Sequence, residues 1–490
     1  MIDLTLNKEQ IKKNADICKE KGIYLPNFKQ MKDPTKIPEK IKNELKNIGL
    51  WDIHPRNLFR ITWKNKPTLK GGGYGGPNYM VLPSKLTGCK AKITALVGKW
   101  FPTGTHKVGA TYGCLVPRLI TGQFNPGVNK VVWPSTGNYC RGGAYVASLL
   151  GCESIAILPE EMSKERFEWL KKVAGEVIAT PGCESNVKEI FDKCWELKKT
   201  RDNIQIFNQF DEFGNALWHY EITGSAFEEI LRKELKPGEK YRGAVLSSGS
   251  AGTLGCSYRL KGKYPHSKLA VAEALQCPTL LNNGFGGHRI EGIGDKHVPW
   301  IHDIKNTDMV IAVDDEVVIR LLRLFNESKG VSYLKKYGIE PNIADNLHLL
   351  GISSIGNLVA AIKFAKYYEF TEKDHIVTVF TDSMELYGSR LKELSQERGA
   401  YNDNNVERDM ELLEGISIDN MLELTYYEKK RIHNLKYYTW IEQQQKDLGE
   451  LNAQWYDHEN YWGNIFKMAP KIDELINSFN EEIGSSTFIT

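Results

Sequence analysis

Between about residue 76 and residue 395, short apolar runs bounded by turn residues alternate with amphipathic stretches, and this alternation constrains the fold most. Val131-Val132-Trp133, Ser154-Ile-Ala-Ile-Leu158, Gly175-Glu-Val-Ile-Ala-Thr180, Ala244-Val-Leu246, Leu269-Ala-Val-Ala272, Met309-Val-Ile-Ala-Val313 and Ile376-Val-Thr-Val-Phe380 read as buried strands. A helix-like segment follows each, such as Met162-Ser-Lys-Glu-Arg-Phe-Glu-Trp-Leu170. Strands alternating with helices imply βαβ units and parallel sheets. Runs this uniformly apolar need cover on both faces. The flanks differ. Residues 1–75 read as a helical extension ending in the loop Lys70-Gly-Gly-Gly-Tyr-Gly-Gly-Pro77. Residues 396–490 are polar, helical in pattern and rich in exposed-type aromatics (Trp440, Trp455, Tyr456, Tyr461, Trp462).

Charge and cysteine usage narrow the partners. Net charge is +3, from 64 basic and 61 acidic residues, so no global field draws in nucleic acid or an anionic membrane. No apolar run reaches the roughly 18–20 residues that span a bilayer. Met1-Ile-Asp-Leu-Thr-Leu-Asn-Lys8 lacks the basic-then-apolar order of a signal peptide. The nine cysteines are scattered, odd in number and free of CxxC pairs, which favours reduced thiols over disulfides or a zinc site. The expectation is a cytoplasmic globular protein with no metal, no nucleic-acid partner and no membrane segment.

Four segments carry chemistry. Phe101-Pro-Thr-Gly-Thr-His-Lys107-Val-Gly-Ala110 presents a lysine on a constrained turn where a helix begins. The positive end of the helix dipole works against its charge, which suggests a neutral amine with a chemical role. Ser247-Ser-Gly-Ser-Ala-Gly-Thr-Leu-Gly255 follows a strand, and its small residues let backbone N–H groups converge on a phosphate. It lacks the ending of a nucleotide P-loop and an acidic ribose partner, so a small phosphorylated ligand fits better than a nucleotide. Pro134-Ser-Thr-Gly-Asn138 sets hydroxyls, amides and an amide side chain at another strand end, suited to a carboxylate or a phenol-like oxygen. Thr381-Asp-Ser383 ends a further strand. Successive residues there face opposite ways, so one of Asp382 and Ser383 is expected in the crevice, and the strand pattern leaves open which.

A reactive lysine, a phosphate loop, a carboxylate loop and a ring-nitrogen partner, all at carboxyl ends of strands, make a pyridoxal phosphate site. The chain resembles fold-type II pyridoxal phosphate enzymes, in particular the cysteine synthase and cystathionine β-synthase group. The likeness runs in order over about residues 75–395: Pro102-Thr-Gly-Thr-His-Lys107, Ser135-Thr-Gly-Asn138, Met162-Ser163 with Glu165-Arg166, Asn208-Gln-Phe210 with His219-Tyr220 and Thr223-Gly224, Ser247 to Thr253, Glu291-Gly-Ile-Gly294 with Pro299, Gly351-Ile-Ser-Ser354, and Asp382-Ser383 with Tyr387. It implies a tryptophan synthase β-like α/β fold of two three-layer α/β/α subdomains with mainly parallel sheets. These would be residues 76–222, with the Schiff-base lysine and carboxylate loop, and 223–395, with the phosphate loop, flanked by helical extensions 1–75 and 396–490.

The resemblance also implies roles. Lys107 would hold the cofactor and move the Cα proton. Asn138 would bond the phenolic oxygen. Ser248, Gly249, Ser250, Ala251, Gly252 and Thr253 would hold the phosphate, with His106 dividing between phosphate contact and a helix-start hydrogen bond. Ser135, Thr136, Gly137 and Gln209 would take the substrate carboxylate. Ser383, rather than Asp382, would meet the pyridine nitrogen. The implied reaction forms an aminoacrylate from a β-substituted L-alanine (serine, O-activated serine or cysteine) and adds a thiol or sulfide. Its alternatives are β-elimination, as in a cysteine desulfhydrase or serine/threonine deaminase, and a non-catalytic subunit that keeps the fold. A small-molecule amino-acid substrate and a homodimer are expected.

Departures fall at the lysine, where His106-Lys107-Val-Gly replaces the family's Val-Lys-Asp-Arg and is similar to the tryptophan synthase β chain. Asn78-Tyr79 stands for the family's Thr-Pro, and the phosphate loop reads SSGSAGT for GTGTGGT. Cys140 reads as a bystander thiol, Trp133 and Tyr139 as packing residues, and Asp295 and His297 as entrance-lining or solvated loop residues.

Overall fold

A computed structural model describes residues 1–135 and 137–484. Its strands are β1 (Tyr79–Leu82), β2 (Lys92–Val97), β3 (Lys130–Pro134), β4 (Ser154–Pro159), β5 (Glu176–Thr180), β6 (Ile204–Ile206), β7 (Lys240–Ser247), β8 (Lys268–Ala274), β9 (Met309–Val313), β10 (Asp374–Phe380) and β11 (Met421–Glu423). They form two sheets, ordered β1-β2-β10-β7-β8-β9-β11 and β5-β4-β3-β6. The smaller sheet is wholly parallel. The larger is parallel from β2 to β9, with an antiparallel strand at each edge. Every residue of β4, β9 and β10 is buried, as uniformly apolar strands under two helical layers must be. The fold is α/β with two mainly parallel sheets.

All seven strands anticipated from apolar runs exist, but β5 is not buried: it edges the smaller sheet and leaves Ala179 exposed. Pairing only with β4, it lacks cover from a second neighbour. Four strands, β1, β2, β6 and β11, lie outside the apolar runs singled out in the sequence. β1 alternates half-buried and buried residues, β6 has three residues including Gln205, and β11 is a three-residue edge. β2 and β1 join the larger sheet through β10, so the smaller sheet sits as an insertion between β2 and β7. A division at 222/223 therefore does not coincide with the sheets.

The two extensions close on each other. The helix Ala469–Glu482 packs against Lys8–Glu20 and the turn before Phe28. The Asp473 carboxylate accepts the Phe28 N–H at 2.6 Å, and Asn480 exchanges two hydrogen bonds with the Leu25 backbone, at 3.0 and 2.9 Å. Of the C-terminal aromatics, Trp440, Trp455, Tyr461 and Trp462 are buried in the core, while Tyr456 is exposed. Among the described residues no helix is long and apolar enough to cross a membrane.

Candidate active site

Lys107 opens the helix Lys107–Ile120, directly after a turn in which Thr103 (φ 67°) and Gly104 (φ 75°) both take left-handed backbone. Three close approaches hold this helix. A Cβ on Gly109 would lie 2.1 Å from the Trp218 ring, one on Gly113 2.4 Å from the Gly214 carbonyl, and one on Gly142 2.8 Å from the Val108 nitrogen. Backbone thus rests on backbone and the lysine is aimed without slack. Its Nζ donates to Ser250 Oγ at 3.0 Å and Gln209 Oε1 at 3.4 Å. Burial lowers the amine to about 8, against the fields of Asp295 and Glu184, which favour its charge. Near neutral pH the ammonium still predominates, but the share of neutral amine is far larger than for a lysine in water.

Ser250 lies in the loop that leaves β7, where Asn215 Nδ2 also donates to it at 3.1 Å. The loop is compressed. A Cβ on Gly252 would fall 2.0 Å from Asn215 Oδ1, and one on Gly249 2.7 Å from the Gly292 carbonyl. Ala251 takes φ 64°, a left-handed conformation costing an L-residue about 1–2 kcal/mol. Such a turn gathers N–H groups into a concavity that binds an anion, and it runs into the helix Gly255–Lys263. Ser247, Gly249, Ser250, Ala251, Gly252 and Thr253 line the pocket; Ser248 does not. Its N–H and carbonyl are taken by Ala272 and Gly294, at 2.9 and 3.0 Å.

Past β3, Ser135 Oγ accepts from Gln209 Nε2 at 3.2 Å and from the Gly137 N–H at 3.1 Å. Thr136 lies outside the described residues. Gly137 (φ 150°) lies on a guanidinium, since a Cβ there would meet Arg166 Nη1 at 2.3 Å. Buried Arg166 pairs with Glu291 at 2.9 Å and Glu184 at 4.0 Å and donates to the Tyr387 hydroxyl at 2.8 Å. Asn138 donates to Asp382 Oδ2 at 2.5 Å, and the Tyr387 hydroxyl donates to the same oxygen at 2.7 Å. Asp382 is thereby committed to the Asn138–Tyr387–Arg166 cluster. Thr381 lines the pocket, and Ser383 is buried with its hydroxyl lacking any protein partner.

His106 is buried with both ring nitrogens unpartnered, edge-on to His219 at 4.8 Å and near Trp63 at 5.6 Å. The Thr223 hydroxyl accepts from Trp63 Nε1 at 3.0 Å and shares a hydrogen bond with His219 Nδ1 at 2.8 Å. Burial pushes both histidines well below their ordinary values, and both are neutral.

The pocket brings together Lys107, His106, Ser135, Asn138, Gln209, Thr381 and the Gly249–Thr253 loop. Gly137, Ser248 and Ser383 lie close to these residues in sequence without lining the pocket themselves. Tyr139, read as packing, both packs on Trp133 and lines the pocket. Asp295 and His297 are buried, not solvated, and Asp295 lines the pocket. Cys140 donates to the Gly137 carbonyl at 2.9 Å with its thiol raised to about 12, so it is no nucleophile. Asn215, Glu184 and the pairing of Arg166 with Glu291 escaped the sequence, because nothing in local spacing marks contacts between distant segments. An amine, a glycine-lined anion concavity, unpartnered atoms on His106 and Asn138 and an unpartnered Ser383 hydroxyl fit a phosphorylated aromatic ring carrying an aldehyde.

Comparison with known proteins agrees. Residues 98–335 match the family model described as pyridoxal-phosphate dependent enzyme. Cystathionine beta-synthase of Saccharomyces cerevisiae is 27% identical over 312 residues, 62% of this chain and 58% of that protein, so the chain spans just over half the relative's length. A probable cysteine synthase of Bacillus subtilis is 30% identical over 231 residues, 47% of this chain and 73% of the relative. The crystal structure of cysteine synthase from Entamoeba histolytica superposes with a TM-score of 0.56 at 20% identity, covering 69% of this chain and 93% of that one, a likeness of fold. The chain belongs to the pyridoxal-phosphate dependent enzyme family, related within it to the cysteine synthases and cystathionine β-synthases.

Proposed function

We propose that the chain binds pyridoxal phosphate at Lys107 and catalyses β-replacement on a β-substituted L-alanine, adding a thiol or sulfide. When bound, the cofactor supplies an electron sink for a carbanion at the substrate Cα. Lys107, poised near neutral pH, takes the Cα proton and later returns it. The loop Gly249–Thr253 holds the phosphate. Ser135 and Gln209, already bonded to each other, hold the substrate carboxylate. His106, neutral and unpartnered, adds polar contact without a second positive charge.

One observation carries the reaction type. The acid at the end of β10, Asp382, is bound by Asn138 and Tyr387, which leaves the neutral hydroxyls of Thr381 and Ser383 for the ring nitrogen. A hydroxyl does not hold a proton on that nitrogen as a carboxylate would. Charge at Cα is then weakly delocalised and leaves by expelling the β-substituent, which disfavours transamination and racemisation.

The purified chain mixed with pyridoxal phosphate is expected to develop a visible absorbance band that Lys107→Ala lacks. With serine, O-acetylserine or cysteine plus a thiol, it is expected to release a thioether or cysteine-like amino acid. Keto acid and ammonia as the sole products with thiol present would make elimination the reaction instead. Absence of any band would sink the enzyme reading.

A further inference from the structure

Asp295 is the single acidic side chain among the described residues lining the pocket. It is buried, and its Oδ2 has no hydrogen-bond partner. Its main chain, by contrast, is pinned from behind. Thr279 Oγ1 donates to the Asp295 carbonyl at 2.7 Å, and the preceding Gly294 N–H donates to Ser248 at 3.0 Å. Further along the loop, Trp440 Nε1 donates to the Val298 carbonyl at 2.7 Å and Lys436 Nζ to the Trp300 carbonyl at 2.9 Å. The C-terminal extension thus fixes a loop whose one reactive tip is left free. The charge that opposes Asp295 is Lys107, across the same pocket.

We infer that Asp295 is the acid that protonates the departing β-substituent, so the enzyme's substrate class is an unactivated β-hydroxy amino acid of the serine type. The inference rests on the function proposed above. Lys107 takes the Cα proton, the C–H electron pair becomes the Cα–Cβ double bond, and the Cβ–O bond breaks with its pair going to oxygen. The Asp295 proton joins that oxygen, and water leaves. The incoming thiol gives its proton to the Asp295 carboxylate as sulfur bonds to Cβ, and Lys107 returns its proton to Cα. The sum is serine plus thiol giving thioether plus water, with both residues restored. Burial raises Asp295 to about 8, so it carries a proton at neutral pH. Hydroxide is a far poorer leaving group than acetate, and only the former needs such an acid.

The test compares serine with O-acetylserine on the cofactor-loaded enzyme. Measured before any thiol is added, Asp295→Asn is expected to slow loss of the serine hydroxyl at least about 100-fold while loss of acetate from O-acetylserine changes less than about fivefold. In the unmodified enzyme, a solvent deuterium isotope effect on this thiol-free half-reaction is expected with serine and not with O-acetylserine, which needs no variant to fold. Amine-selective labelling of Lys107 in the cofactor-free chain adds a readout independent of activity. Loss of the Asp295 field should move its pH midpoint downward in Asp295→Asn. The other groups around the pair are His106, His219, His288 and His297, all lowered by burial, together with Glu184 and Cys277. Equal losses on both substrates, no loss on serine, an isotope effect on both or an unmoved midpoint would overturn the assignment. If O-acetylserine is consumed normally while any of these is seen, the proposed function stands and only the acid falls. If no cofactor band forms, both fall.

Discussion

The Lys107–Asp295 pair shows how two residues of opposite charge type reach similar proton affinities in one pocket. Burial disfavours the charged form of each, so the amine falls from 10.5 to about 8 and the carboxyl rises from 3.8 to about 8. The signs have consequences for stability. Folded Asp295 keeps a proton that the unfolded chain loses near pH 4, so its contribution declines as pH rises from about 4 to about 8. Lys107 acts oppositely, and its contribution grows from about pH 8 to about 10.5. Asp295→Asn, which does not titrate, is therefore expected to gain ~1–3 kcal/mol on the parent between pH 5 and pH 8. Urea midpoints of the cofactor-free chains measure this, and a constant difference would contradict it. Lys107 was legible in the sequence because turn chemistry and a helix start are local. Asp295 was not, because a charged residue in a glycine-rich loop looks solvated until the fold buries it.

At the scale of elements, the site depends on how closely backbones approach. The helix Lys107–Ile120 leans on Trp218 through Gly109, where an added methyl would sit 2.1 Å from the ring. Gly109→Ala is expected to cost about 1–3 kcal/mol by overpacking and to weaken cofactor binding, since the helix must move and Lys107 with it. Thermal melting and the visible band measure the two effects. The phosphate loop is tighter still. Gly252→Ala would place Cβ 2.0 Å from Asn215 Oδ1, displacing the residue that braces Ser250. At least tenfold weaker pyridoxal phosphate affinity is expected, with little change in folding if the loop alone yields; unchanged affinity would argue that the phosphate sits elsewhere. Glycine positions are visible in a sequence, but their contact partners, Trp218 and Asn215, are not.

At the scale of the whole molecule, the extensions belong to the same body as the catalytic core. Residues from both ends enter the large apolar core, among them Phe28, Trp63, Ile432, Trp440, Trp462, Ile476 and Phe479. β11 extends the larger sheet at its edge, and Trp440 and Lys436 hold the loop that carries Asp295. A chain ending at residue 415 would expose the apolar surface now covered by these aromatics. It is expected to lose cooperative unfolding and to bind an apolar dye, with the full chain expected to do neither. A truncated chain that melts cooperatively and keeps the cofactor band would show the extension to be dispensable. Uniformly apolar runs, turn residues at strand ends and a lysine at a helix start settled the α/β class, most strands and the placing of the chemistry at their carboxyl ends. Those signals are local, written within a few residues of one another. Tertiary structure alone decided that β5 is an edge, that β1 and β2 cross to the larger sheet, that Asp382 turns to Asn138, 244 positions away, and that Asp295 is stripped of water. Sheet order, desolvation and close approach depend on which distant segments meet, and only the folded chain brings them together.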